Sequence, residues 1–97
     1  MDWEFAVLDF IRETLKKYIP NPRAKFYIFG SRAKGKYKEY SDVDIAIDCP
    51  NLEKSIKSKI ELEFENSTFP YEVDIVDLNS IKETFKNLIQ NDLVLIN

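Results

Sequence analysis

Histidine is absent from this 97-residue chain, and cysteine occurs once, as Cys49. The first absence removes Ser-His and Cys-His catalytic pairs, imidazole general bases and histidine-rich zinc sites. The second removes any disulfide or thiolate cluster within a monomer. No apolar run approaches the roughly 18–20 residues of a membrane span. The opening segment MDWEFAVLDF is acidic and has no basic n-region, so it does not read as a signal peptide. Walker-type and dinucleotide glycine fingerprints are missing as well. Fourteen basic residues against seventeen acidic ones leave a net charge of −3, so no overall field draws the chain to nucleic acid or an anionic membrane. The expectation is a cytoplasmic protein, with neither a membrane nor DNA as a direct partner. Its chemistry must rest on carboxylates, hydroxyls, lysines, arginines and backbone.

What is present suits a globular protein: 44 % of residues are apolar and 32 % charged, with no repeat, linker or low-complexity stretch. The length predicts a single domain over residues 1–97. From Asp2 to Tyr18, the apolar residues Trp3, Val7, Ile11, Leu15 and Tyr18, widened by Leu8, Phe10 and Ile19, have helical spacing. Pro20 and Pro22 end that helix. Ala24 to Phe29 is aromatic and β-prone and stops at Gly30. Asp42 to Asp48 alternates strictly and is the clearest strand. Pro50 and Asn51 open a second helix, with Asn51 as N-cap and Leu52, Ile56, Ile60 and Phe64 recurring along it. Tyr71 to Val76 alternates again. Ser80-Ile81-Lys82-Glu83 has the form of a capping box and begins a third helix, with Ile81, Phe85, Leu88 and Ile89 facing in. Asn91 fits a left-handed terminator, and Leu93 to Ile96 a short last strand. This order predicts an α+β fold, one mixed sheet of about four strands with helices packed on one face.

The second strand carries the first chemical signal. Its period of two sends Val43, Ile45 and Ile47 to one side and Asp42, Asp44 and Asp48, with Ala46, to the other. An isolated Asp-x-Asp is often no more than a solvated strand face. Aspartate is disfavoured in strands, however, and neighbouring like charges repel, so the pair is costly unless a cation lies between them. On the third strand, Val73 and Ile75 match the buried parity, which places Asp74 on the face of Asp42 and Asp44. Asp77 has the other parity and closes the strand. Three oxygen donors on adjacent strands suit Mg²⁺, with water and phosphate oxygens completing its shell. Two such ions about 3.5–4 Å apart clamp both oxygens of a phosphoryl displacement.

The first strand runs into Gly30-Ser31. Glycine permits a tight turn and close approach of a ligand, and the following amides offer an anion-binding nest. Arg32, Lys34, Lys36 and Lys38 then set four cations in an otherwise acidic chain. Alone, a Gly-Ser marks a strand-ending turn and the lysines a solvated loop.

Together, Gly30-Ser31, a ten-residue gap and Asp42-Val43-Asp44 resemble the signature of the nucleotidyltransferase superfamily that includes DNA polymerase beta. The stretch GSRAKGKYKEYSDVDIAI, with YEVDIVDL downstream, resembles its small prokaryotic branch, the minimal nucleotidyltransferases, over nearly the whole chain. The resemblance implies a palm-like fold and transfer of a nucleoside monophosphate, AMP from ATP or another nucleotide from its triphosphate, to an acceptor hydroxyl. By the same resemblance Gly30 and Ser31 hold the triphosphate, with Arg32 and Lys36 neutralising its charge. Asp42 and Asp44 bind two Mg²⁺ ions, for which Mn²⁺ can substitute. Asp74 holds the ion at the acceptor oxygen. No histidine is needed.

Larger members append a helical acceptor-binding domain. The expectation here is that a partner supplies the acceptor, or that a homodimer completes the site. Many minimal nucleotidyltransferases pair with a small helical HEPN toxin, act as its antitoxin and transfer AMP to one of its tyrosines. Two other readings stand beside this one: a non-catalytic antitoxin acting by contact, and a small-molecule modifier of aminoglycoside type. Intact Asp42, Asp44 and Asp74 favour the enzyme, since a contact-only module has no reason to tolerate their repulsion. Cys49 reads as a packed thiol, Trp3 as core, Tyr37 and Tyr40 as loop residues beside the site, and Glu72 as a solvated edge residue.

Overall fold

The computed structural model describes residues 5–30, 42–69 and 71–97. Helix α1 (Phe5–Tyr18) leads into β1 (Lys25–Phe29) and β2 (Val43–Asp48). Helix α2 (Lys54–Asn66) crosses to β3 (Val73–Asp77), and α3 (Glu83–Ile89), a short 3-10 turn (Gln90–Asp92) and β4 (Val94–Leu95) finish the chain. The sheet order is β3-β2-β1-β4. β1 runs antiparallel to both β2 and β4, whereas β2 and β3 are parallel. Parallel neighbours need a crossover, and α2 provides it.

The alternation read in β2 sets the main core. Val43, Ile45 and Ile47 are fully buried against Phe26 and Ile28 of β1, with Ile11 and Leu15 of α1 and Ile60 and Phe64 of α2 closing over them. Glu63 fastens the two helices to each other: it accepts from Lys17 Nζ at 2.8 Å and from the Tyr18 hydroxyl at 2.5 Å. Lys17 thereby holds the Glu63 carboxyl below its usual range. Phe69 stacks on Phe10 with ring centroids 5.3 Å apart and meets Tyr71 edge-on at 5.4 Å, which fixes the approach to β3. At the other end, Asn97 pairs with β1 through its side chain, accepting from the Phe26 amide at 2.6 Å and donating to the Ala24 carbonyl at 2.8 Å. Arg12 Nε donates to the Ile96 carbonyl. Among the described residues no helix is long and apolar enough to cross a membrane.

Several local expectations change. Helices α1 and α2 share one face, but α3 lies over the opposite one, where Phe29, Ala46, Leu78 and Ile89 form a second, smaller cluster. That cluster is small, and α3 outruns it: Ile89 is buried and Ile81 half-buried, while Phe85 is 41 % and Leu88 76 % exposed. Asn51 is not the α2 N-cap. Its φ of 61° is left-handed, whereas a cap residue needs extended backbone; Glu53, at φ −73° and ψ 140°, takes that place. The Ser80 hydroxyl donates to Asp77 at 2.9 Å instead of capping a helix, and α3 starts at Glu83 with Lys82 before it. Asn91 sits within the 3-10 turn; among the described residues only Asn51 combines a side chain with positive φ. Trp3 lies outside the described residues.

Ile45 is fully buried, so Ile45→Ala should lower the unfolding free energy by about 3 kcal/mol. Leu88→Ala should change it by less than about 0.5 kcal/mol. Urea denaturation of both variants measures the difference.

Candidate active site

The same alternation that buries three β2 residues exposes the acidic ones on the far side. Asp44 is half-buried there, and Asp42 is exposed just ahead of the strand. In the parallel register Asp44 stands opposite Asp74. Paired strands lie about 4.8 Å apart, so these two carboxylates are as near as a sheet places side chains. Burial is the main reason the Asp44 carboxyl is pushed above its usual range; the charges of Asp74 and then Asp42 push the same way. Asp44 is thus the carboxylate that feels both others.

Gly30 completes the arrangement from β1, whose last residue Phe29 pairs with Asp44. Its φ is +77°, a conformation side chains rarely adopt. A Cβ added there would also run into the Asp44 carboxylate at Oδ2. Two independent constraints therefore require glycine, and the second couples it directly to the acidic centre. Ser31, Arg32, Lys36, Tyr37 and Tyr40 lie outside the described residues.

Asp77 is occupied otherwise. Its carboxylate accepts from the Asn79 amide at 3.0 Å and the Ser80 hydroxyl at 2.9 Å, which caps the turn after β3. Asp48 accepts from Asn79 Nδ2 at 3.1 Å, so it too is engaged in holding this turn. Glu72 is exposed, and its backbone carbonyl takes the Val43 amide at 2.8 Å. Cys49 is buried, and burial first, then the charges of Asp77 and Asp48, pushes its thiol up; such a thiol is unreactive.

The donor set is oxygen only, which suits a hard divalent cation such as Mg²⁺ or Mn²⁺. It is not a closed cage. Among the described residues no group of three acidic or thiol side chains converges closely enough to hold an ion unaided. Repulsion keeps uncompensated carboxylates apart, and phosphate oxygens and water ordinarily complete such a shell. Beside Asp74 lies a cleft lined by Phe69 and Tyr71 as well as by Glu61 and Glu65 of α2. Strand parity does not reveal it, because it depends on how α2 crosses to β3.

The polymerase beta nucleotidyltransferase family matches residues 10–97, and the chain belongs to that family. Its members are enzymes that generally use divalent metal ions. A relative from Haemophilus influenzae, named "Probable protein adenylyltransferase MntA", is 31 % identical over 97 residues, covering 99 % of this chain and 83 % of its own. A solved toxin–antitoxin complex with AMP-PNP matches with a TM-score of 0.78 at 23 % identity, over 93 % of this chain and 72 % of that one. A complex of tri-AMPylated HEPN toxin from Shewanella oneidensis with MNT antitoxin matches with a TM-score of 0.72 at 20 % identity, over 95 % and 70 % of the two chains. At these identities the structures establish a common fold.

Asp44→Asn should leave the metal-free fold intact or raise its melting temperature. Because the folded carboxyl sits above the ordinary 3.8, the folded state binds its proton more tightly. Asp44 therefore costs stability as pH rises from about 3.8 through the raised value. Melting curves with chelator across that window should slope downward less steeply for the variant. Gly30→Ala should cost about 1–3 kcal/mol through strained φ and the collision, read by the same melts.

Proposed function

We propose that this chain is a divalent-metal-dependent protein adenylyltransferase that moves AMP from ATP to a tyrosine hydroxyl of a HEPN-type toxin and so acts as its antitoxin. One observation carries the chemistry: Asp44, half-buried, faces Asp74 across the parallel register and senses Asp42, with Gly30 pressed against its carboxylate. Such repulsion is tolerable where cations and a polyphosphate are to be bound. The relative named as an adenylyltransferase supports the reaction, and the AMPylated toxin complex supports the acceptor.

In the transfer, the acceptor oxygen bonds to the α-phosphorus and the bond from that phosphorus to its bridging oxygen breaks. Pyrophosphate leaves and the hydroxyl proton is released. Held by these carboxylates, Mg²⁺ or Mn²⁺ would neutralise phosphate charge and lower the pKa of the acceptor hydroxyl. Asp42 and Asp44 hold the nucleotide side of the centre. Asp74, one strand further out, serves the acceptor side. Gly30 lets the triphosphate approach the strand end closely, and Ser31, Arg32 and Lys36 follow it in the sequence as phosphate ligands. Positioning and electrostatics then supply the rate enhancement.

Calorimetry should show ATP binding with Mg²⁺ or Mn²⁺ and much weaker binding with chelator; equal affinity in both would sink the metal-bridged reading. Asp74→Ala should cut AMP transfer to a co-purified toxin by about two orders of magnitude or more, with nucleotide binding largely kept. Asp77→Ala should retain most transfer if folded, because its carboxylate serves the turn. Radiolabelled transfer with both variants distinguishes them.

A further inference from the structure

The two ends of the sheet are finished differently. On one side β4 is only two residues long, the usual way to blunt an edge. On the other, β3 is a regular five-residue strand, VDIVD, paired with β2 in unbroken register and free of proline and lysine. Its outer edge can be read residue by residue. The Glu72 carbonyl accepts from Val43 and the Leu78 amide donates to Ile47, so even-numbered residues aim their backbone groups at β2. Period two then turns the N–H and C=O groups of Val73 and Ile75 and the N–H of Asp77 outward, the Asp77 carbonyl being taken by the Ser80 amide at 3.0 Å.

Two clefts that share Glu61 flank this edge. One cleft is bounded by α2 residues such as Lys57 and Glu61 and by Ile75, Val76 and Asp77. The cleft beside Asp74 is bounded by Glu61, Glu65, Val73 and Asp74. Each includes strand residues of both parities, which places it along the edge and not on a face, and Glu61 belongs to both. Among the described residues carboxylates outnumber cations along these clefts: Glu61 in the middle, Glu65, Glu72 and Asp74 at one end and Glu53 at the other, against Lys54 and Lys57. Neither ion pair found among the described residues involves any of them.

We infer that the outer edge of β3 docks an extended, basic segment of the partner protein by strand addition, delivering the acceptor hydroxyl to Asp74. Main-chain bonds to Val73, Ile75 and Asp77 supply affinity, and lysine or arginine side chains meet the carboxylates of α2 and β3. A second copy of this chain is the poorer occupant, because two acidic edges would face each other. The inference rests on the adenylyltransferase reading for the purpose of docking, but not for the docking itself.

The probe is a fluorescein-labelled heptapeptide of alternating lysine and valine with a central tyrosine, with a glutamate-for-lysine peptide as control. Anisotropy is measured at low salt without nucleotide or metal, so the result is independent of catalysis. The lysine peptide should bind and the glutamate peptide should not. Glu61→Lys combined with Glu65→Lys should weaken binding about tenfold or more. Amide exchange at Val73, Ile75 and Asp77 should slow on binding, while Asp74 and Val76 stay unchanged. Val73→Pro, which removes one outward N–H at an edge position that tolerates proline, should abolish binding; should it unfold, the lysine variants and the exchange pattern decide. Equal binding of both peptides, binding without protection of the outward amides, or dimerisation through β3 in sedimentation would each overturn the inference. Loss of peptide binding with Mg²⁺-dependent ATP binding intact would refute docking alone, and the reverse would refute the transferase reading alone.

Discussion

Repulsion among Asp42, Asp44 and Asp74 is the constraint on which the site depends. A sheet that faced these carboxylates with apolar side chains would be more stable and chemically empty. Half-burial of Asp44 raises the cost, since its own desolvation displaces the carboxyl more than either neighbour does. Gly30 sharpens the constraint: with any side chain it would take the space of the Asp44 carboxylate. The strand end and the acidic centre are therefore in direct steric contact, and Gly30 cannot take a side chain while the Asp44 side chain keeps its place.

The core exists to hold these residues in register. Val43, Ile45 and Ile47 are completely buried, so a one-residue slip of β2 would put aspartates into the apolar core and valine and isoleucine into the site. The α2 crossover then makes β3 parallel, and only parallel pairing in this register sets Asp74 opposite Asp44. Thr14 follows the same economy at small scale: buried within α1, its hydroxyl donates to the Phe10 carbonyl at 2.8 Å and leaves no unmet donor beneath the sheet.

Much of this was legible because strands have an invariant period. The parity of β2 and β3 separates Asp74 from Asp77: the structure pairs Asp74 with Asp44 and gives the Asp77 carboxylate a turn-capping role. Helix ends were read less well, because their signals are local and several residues can satisfy them. Asn51 has the right chemistry for a cap but adopts a left-handed turn, and Ser80 spends its hydroxyl on Asp77. The exposed Phe85 and Leu88 were unreadable for another reason. Helical periodicity states which residues could face inward, but not how small a patch remains once the sheet face is given over to carboxylates. The aromatic and acidic cleft by Asp74 depends on the α2 crossover, which no local pattern encodes. The resemblance to minimal nucleotidyltransferases added what periodicity cannot, an expected triphosphate-holding role for Gly30 and Ser31.

The distribution of charge ties the site to its surroundings. A net charge of −3 is too small to matter as a global field, but its sign is concentrated where it counts. Four lysine and arginine positions fall between Gly30 and Ser41 in the sequence, and among the described residues carboxylates gather along β3 and α2. In the proposed reaction the basic stretch suits an anionic triphosphate, and the acidic clefts suit a cationic polypeptide. Separate binding of the two reactants matters physically, because attack in line with the departing pyrophosphate requires the acceptor to enter from the side opposite the leaving group.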